Sequence, residues 1–189
     1  VRRLLGELIT LGGLPNYFGH QRFGTVRPIT HRVGRYIVKR NIEEAALAFL
    51  SETSPYEHPE SREARLHLKE TLDFKDALKY FPKQLYYERL MLAHLSRYPR
   101  DFAGAFRRLP PKLLRLFVQA YQSFLFNRFL SGRIKRGISL RVPEVGDYAV
   151  DLDETGLPTD RFKRVEAADL SKITEKVERG KMRVALPLI

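Results

Sequence analysis

Residues 112–130 read KLLRLFVQAYQSFLFNRFL and give the strongest helix signal in the sequence. Hydrophobic residues occupy nearly every side of this segment, which predicts a helix buried on most of its surface. Four polar residues interrupt the apolar surface at spacings of three to four, namely Gln119, Gln122, Ser123 and Asn127. Buried polar groups need hydrogen-bond partners, so these side chains either serve a site or bond to neighbouring backbone.

The segments on both sides of this helix predict a helix-rich α+β protein. Residues 1–11 place apolar side chains at helical spacing and end at Gly12-Gly13, a pair suited to a left-handed helix cap. Further helices are expected at 30–38 and 41–50, capped by Thr30 and Asn41, and at 60–71, 73–80, 84–97 and 167–178. Alternating residues predict strands at 14–19, 138–142, 148–152 and 182–186.

The composition excludes several classes of protein. Hydrophobic residues make up 43% of the 189 residues, which is enough for a folded core and argues against disorder. Cysteine is absent, so disulfides and thiolate metal sites are excluded, and the composition suits a cytoplasmic protein. The five histidines show no ligand spacing, so no metal is expected. No run of about 18 apolar residues indicates a membrane span.

Positive charge is concentrated in two blocks of the chain. Residues 1–40 hold eight Lys or Arg and one acidic residue, and residues 100–142 hold ten and one. The remaining stretches, 41–99 and 143–189, each have slightly more acidic than basic residues. Two basic blocks favour one positive surface that faces a polyanion such as RNA. The alternative is a solvated arginine-rich face without a partner.

The stretch most informative about function is Gly12-Gly13-Leu14-Pro15-Asn16-Tyr17-Phe18-Gly19-His20-Gln21-Arg22-Phe23-Gly24. Glycine lets a ligand approach the backbone closely. Phenylalanine offers a face on which a base can stack, while Asn and Gln can read a base edge and Arg can hold a phosphate. A strand and turn with packed aromatic side chains would explain the same residues, and physical reasoning leaves both interpretations open.

Asn16-Tyr17-Phe18-Gly19, followed by Gln21-Arg22-Phe23-Gly24, resembles a signature of the TruD family of pseudouridine synthases, which act on uridine 13 of tRNA. The run Ala120 to Asn127 resembles a later helix signature of that family. Shorter matches lie at 30–34, 87–89, 146–147 and 185–188, and residues 30–34 and 87–89 look like archaeal-type members. The resemblance therefore covers nearly the whole chain in family order.

The resemblance implies roles for particular residues. Asn16 would support the catalytic carboxylate, and Phe18 would line the uridine site together with Gln21, Arg22 and Phe23. Gln122 and Asn127 would lie on the helix behind this wall and belong to the RNA-binding residues. From the two basic blocks, RNA contacts are also expected for Arg27, Arg32 and Arg128. Residues 1–136 would be the central part of the catalytic domain, with 41–109 a helical elaboration, and 137–189 would begin the family's inserted α/β module. The implied partner is tRNA, with no cofactor, metal, membrane or protein partner.

The family's nucleophilic aspartate lies in a Gly-x-Lys-Asp motif upstream of the first signature, and this sequence does not contain that motif. Lys75-Asp76 lies downstream and lacks the neighbouring residues of the motif, so we interpret it as a pair on a helix surface. Val1 enters a helix directly and Ile189 stops within a strand-like run, so we expect an internal segment of a longer protein. Two alternatives stay open: a non-catalytic RNA-binding module that reuses this core, and a helical protein-interaction domain.

Overall fold

The computed structural model describes residues 2–185 and confirms a helix-rich α+β fold. The helices are α1 (Arg2–Leu11), α2 (Thr30–Val38), α3 (Ile42–Ser51), α4 (Pro59–Thr71), α5 (Phe74–Tyr80), α6 (Tyr86–Leu95), α7 (Phe102–Arg107), α8 (Pro111–Lys135) and α9 (Leu170–Glu178). The strands are β1 (Tyr148–Leu152), β2 (Pro158–Arg164) and β3 (Met182–Ala185). No helix within residues 2–185 is both long enough and apolar enough to cross a membrane.

The chain divides into two compact units. The first unit comprises residues 1–17 and 125–189, and the second comprises residues 18–124. The boundary falls inside α8, so each unit contains part of that helix. The sequence predicted a different division, into a catalytic part at 1–136 and an inserted family module at 137–189. That division follows the organisation of the family and not the compactness of the chain, and it stays a prediction.

Helices α2 to α7 and the first part of α8 enclose the core of the second unit. Its fully buried side chains include Val33 of α2, Leu50 of α3, Leu68 of α4 and Leu92 of α6. Helix α2 approaches α8 so closely that a Cβ atom on Gly34 would lie 2.0 Å from the Phe117 carbonyl oxygen. Glycine is therefore required at this crossing for steric reasons.

A buried network of ion pairs connects the loop before α2 with three helices of the second unit. Glu88 of α6 accepts hydrogen bonds from Arg65 of α4 at 2.7 Å and from Arg27 at 3.2 Å. Both guanidinium groups also donate to the Phe49 carbonyl at the end of α3, and Arg65 pairs with Glu57. The Arg65 side chain is 2% exposed, so these charges are compensated away from water.

The first unit contains α1 and a three-stranded antiparallel sheet with strand order β2-β1-β3. Helix α9 packs on one face of this sheet through Ile173, which meets Ala149 and Met182 in a small buried cluster. Arg133, near the end of α8, is buried and forms a 2.7 Å ion pair with Asp147 just before β1. Gly12 ends α1 with φ +83°, which confirms the predicted left-handed cap.

The predicted strands at 14–19 and 138–142 are wrong. Residues 14–19 form no ladder within residues 2–185, and a strand requires a partner that local alternation cannot reveal. Residues 138–142 are a loop because the Arg133 guanidinium donates to the carbonyls of Ser139 and Val142. The predicted strands at 148–152 and 182–186 are confirmed as β1 and β3 up to Ala185, while residue 186 lies outside the described residues.

The sequence did not indicate β2 or α7. Strand β2 reads PTDRFKR. Because most of its side chains are exposed, its sequence shows no alternation of hydrophobic and polar residues that would predict a strand. The predicted helices are otherwise confirmed, with shifted ends, but α8 is buried on fewer sides than expected. Its side chains Phe117, Ala120 and Leu130 are buried, whereas Leu116 is 36% exposed and Phe129 is 43% exposed.

We predict that Gly34→Ala lowers the free energy of unfolding by about 1–3 kcal/mol, the usual cost of overpacking. The new methyl group would force α2 away from the Phe117 carbonyl. Gly132→Ala is the matched control, because Gly132 is also helical and has no heavy atom within 4 Å of the added Cβ. The control should be neutral or stabilising by up to about 1 kcal/mol. Equal effects of the two substitutions in urea unfolding would contradict the steric explanation.

We also predict that Glu88→Gln costs about 3–5 kcal/mol, because it leaves two buried guanidinium groups without their shared carboxylate. The measurement is the midpoint of chemical unfolding. Glu7→Gln removes an exposed carboxylate paired with Arg3, and this control should cost less than about 1 kcal/mol. A Glu88→Gln protein as stable as the control would show that the network contributes little.

Candidate nucleic-acid interface

Residues 18–24 form an exposed turn at the start of the second unit. Gly19 is extended at φ −68° and ψ 164°, and a 3-10 turn follows at His20–Arg22. Gly24 then reverses the chain with φ +104°, where a Cβ atom would lie 2.3 Å from the Arg27 carbonyl oxygen. The Thr30 backbone N–H donates to the Phe23 carbonyl oxygen at 3.1 Å and joins the turn to the start of α2.

Arg22 connects this turn with α8. Its Nε donates a 3.1 Å hydrogen bond to Ser123 Oγ, and its guanidinium carbon lies 5.6 Å from the centre of the Phe18 ring. The Ser123 hydroxyl donates in turn to the Gln119 carbonyl oxygen at 2.9 Å. Ser123 therefore bonds to neighbouring backbone and also anchors Arg22, which sequence reasoning did not assign to it.

Three rings pack behind the turn. His31 of α2 stacks on Phe124 of α8 with ring centres 4.6 Å apart and an angle of 23°. Phe23 meets both rings edge-on, at 5.3 Å from His31 and 6.5 Å from Phe124. The packing fixes Phe23 as a supporting residue between α2 and α8, while Phe18 is 37% exposed on the turn.

His31 is held in its neutral form by this environment. Burial and, to a smaller extent, the charge of Arg32 lower the pKa of His31 below its ordinary value of 6.5. Its Nδ1 atom is buried and has no hydrogen-bond partner within residues 2–185. His31 lies in the 30–34 segment that resembles the family, but no signal in the sequence indicated its stacking role.

The structure gives Arg27 contacts within the protein, and its assignment as an RNA contact stays a prediction. Its guanidinium donates to the carbonyls of Phe49 and Glu52 and to Glu88, and its side chain is only 12% exposed. Burial, followed by repulsion from Arg65, lowers the pKa of Arg27 to about 10. These hydrogen bonds hold the Arg27 guanidinium against the end of α3 and against Glu88.

The other predicted site residues lie at the surface or partly exposed. In the second unit, Gln21 is exposed, Gln122 is half-buried, and the Arg32 side chain is 53% exposed beside Glu52 at 2.7 Å. In the first unit, Asn16 and Arg128 are exposed and Asn127 is half-buried. Because these residues divide between the two units, a common cleft for Asn16 and Phe18 stays a prediction. That the two basic blocks form one surface also stays a prediction.

Within residues 2–185, no group of three or more His, Asp or Glu side chains could hold a metal ion. Asp76 of the rejected Lys75-Asp76 pair bonds to His67 at 2.9 Å and to Lys79 at 3.1 Å at the surface of α5. These hydrogen bonds lower the pKa of Asp76. A depressed pKa and two local partners fit a structural carboxylate.

Arg22 and the exposed Phe18 ring bring together a cation and a stacking surface, the two kinds of group to which single-stranded nucleic acids bind. The family model of tRNA pseudouridine synthase D (TruD) matches residues 1–189. The chain therefore belongs to the TruD family.

Two archaeal relatives, both named "Probable tRNA pseudouridine synthase D", illustrate the similarity. The protein from Methanosarcina mazei is 41% identical over the whole chain, and the protein from Methanopyrus kandleri is 53% identical over 84% of it. A crystal structure of a Methanosarcina mazei protein given the same family name matches 97% of the chain with a TM-score of 0.88. The chain spans about 43%, 40% and 42% of these three proteins.

We predict that the neutral His31 ring makes folding stability depend on pH. Because the folded pKa is lowered, the stability contributed by this ring is present above pH 6.5 and is lost as the pH falls through the folded pKa. The melting temperature of His31→Phe should therefore fall less than that of the unsubstituted protein between about pH 7.5 and about pH 5.5. His58→Gln, which changes an exposed histidine, should keep the original pH dependence. An unchanged pH dependence in His31→Phe would show that His31 does not titrate in this range.

Proposed function

We propose that the protein containing this chain isomerises a uridine of tRNA, at position 13, to pseudouridine, and that this chain supplies one wall of the uridine site. The contact between Arg22 and Ser123 carries the proposal. It joins the two segments that resemble TruD signatures, about a hundred residues apart in the chain, and leaves Phe18 exposed beside the guanidinium.

The proposed reaction breaks the N1–C1′ bond of uridine and forms a bond from C5 to the same C1′ atom, while C5 loses its proton and N1 gains one. No electrons are gained or lost, so the reaction requires no redox cofactor. A carboxylate serves as nucleophile or base. The family resemblance places that carboxylate in a motif outside this sequence. The residues of this chain would therefore bind and orient the uridine.

The exposed Phe18 ring gives the target base a surface to stack on after it leaves the RNA helix. Arg22 lies over the same ring and would hold a neighbouring phosphate, while Gln21 would bond to a base edge. Asn16 would support the carboxylate, as the resemblance implies. The same proposal includes contacts to RNA by Arg32, Gln122, Asn127 and Arg128. It also includes a cytoplasmic location for the protein.

Pseudouridine formation by the full-length protein tests this function. Transfer RNA carrying tritium at C5 of uridine should release it during the reaction, and the product should contain pseudouridine at position 13. This chain on its own should release no tritium, because it lacks the family's aspartate motif. No release by the full-length protein despite tight tRNA binding would instead favour the non-catalytic RNA-binding module. No RNA binding even at low salt would favour the protein-interaction domain.

We predict that Phe18→Ala in the full-length protein lowers kcat/KM for tRNA by about tenfold or more, since base–aromatic stacking contributes about 1–3 kcal/mol. Its melting temperature should change little, because Phe18 is 37% exposed. Tyr56→Ala, which truncates an 81% exposed ring in another loop, is the control and should keep full activity. A core role for Phe18 would instead cost about 3–5 kcal/mol of stability and leave the activity per folded molecule intact.

A further inference from the structure

The three-stranded sheet of the first unit has one face packed on α9 and one face that α9 does not cover. Directly paired residues of an antiparallel ladder lie on the same side of a sheet, and alternate residues of a strand do as well. The register pairs Val150 with Phe162 and Arg183, and it pairs Tyr148 with Arg164 and Ala185. These six residues define the open sheet face, opposite the buried Ala149 and Met182.

Two aromatic rings lie together on the open sheet face. Tyr148 and Phe162 meet with ring centres 5.8 Å apart and an angle of 65° between their planes. Phe162 is 67% exposed on the edge strand β2. Three strands spaced about 4.8 Å apart give a surface about 10 Å wide. This width is sufficient for one or two nucleotide bases.

Two arginines flank the rings on different strands. Arg164 and Arg183 are both exposed, and within residues 2–185 neither guanidinium forms a hydrogen bond or an ion pair. Several other cations of this unit are paired, including Lys163 with Asp169 and Arg179 with Glu175. None of the six residues of the open sheet face is acidic.

The charge of this face differs from that of its surroundings. Residues 143–189 hold ten acidic and eight basic residues, so this part of the chain has no general excess of positive charge. Cations and aromatic rings nevertheless coincide on one face of the sheet. Charge complementarity therefore favours an anionic ligand with flat rings, and RNA combines both features.

We propose that the open sheet face binds unpaired nucleotides of the RNA substrate, with bases stacked on Phe162 and Tyr148 and phosphates held by Arg164 and Arg183. The inference rests on the proposed function in taking that substrate to be tRNA. Unpaired nucleotides are required because a base within a duplex cannot offer its face to a protein ring. The open sheet face would therefore bind a loop of the tRNA.

The test compares tRNA binding and turnover of full-length variants. Phe162→Ala should weaken the Kd for tRNA about tenfold, the effect of losing one stacked base. The double variant Arg164→Gln/Arg183→Gln should weaken binding and reduce the salt dependence of log Kd by about one unit or more. For both variants, kcat at saturating tRNA and the melting temperature should match those of the unsubstituted protein.

Lys172→Gln/Lys176→Gln is the matched control for charge, because it removes two exposed cations from α9, on the other side of the sheet. This control should bind tRNA more tightly than the double arginine variant and keep a steeper salt dependence. Equal weakening by both pairs would mean that the open sheet face contributes only general charge, which overturns the inference.

Two further outcomes would overturn the inference. One is a Kd for tRNA that stays unchanged both in Phe162→Ala and in the double arginine variant, while the unsubstituted protein forms pseudouridine. This result would leave the proposed function intact. The other is a large loss of melting temperature in Phe162→Ala, which would show that protein covers this face. Failure of the unsubstituted protein to form pseudouridine counts against the proposed function, whereas the binding comparison still tests the open sheet face.

Discussion

The second unit depends on one buried carboxylate, that of Glu88. Arg65 and Arg27 both donate to Glu88, and they also bond to carbonyl oxygens where α3 ends. The last carbonyl groups of a helix have no partners within the helix. Burial of two guanidinium groups is costly unless their charges and donors are all satisfied. Glu88 and Glu57 balance the two charges, and the helix-end carbonyls accept further hydrogen bonds from both guanidinium groups.

This network also determines where the candidate uridine-binding turn lies. Arg27 fixes the loop that follows Gly24, and the Thr30 N–H bond to the Phe23 carbonyl oxygen closes that loop onto α2. With this end of the turn held, Arg22 reaches Ser123 and lies over the Phe18 ring. The exposed ring thus depends on contacts made deep within the helical core.

The sequence predicted features that arise from local chemistry and missed those that arise from distant pairing. Helical spacing revealed α8, and the glycine pair revealed the end of α1, because both follow from neighbouring residues. Strand β2 was missed because its pairing with β1, and not its hydrophobicity, makes it a strand. In the candidate site, the two signatures were found by resemblance, but the buried state of Arg27 and the stacking of His31 depend on side chains far along the chain.

Arginines bonded to the backbone change how the net charge of +12 should be interpreted. Within residues 2–185, several arginines donate to backbone carbonyls at helix ends or in loops. They include Arg27, Arg65, Arg89, Arg133 and Arg141. A guanidinium suits this purpose because it carries five donors in a planar arrangement. Arg27, Arg133 and Arg141 lie within the two basic blocks, so part of the excess charge there also stabilises the fold. A cation beside an exposed aromatic ring, such as Arg22 at Phe18, is therefore a better indicator of an RNA surface than the charge of a whole block.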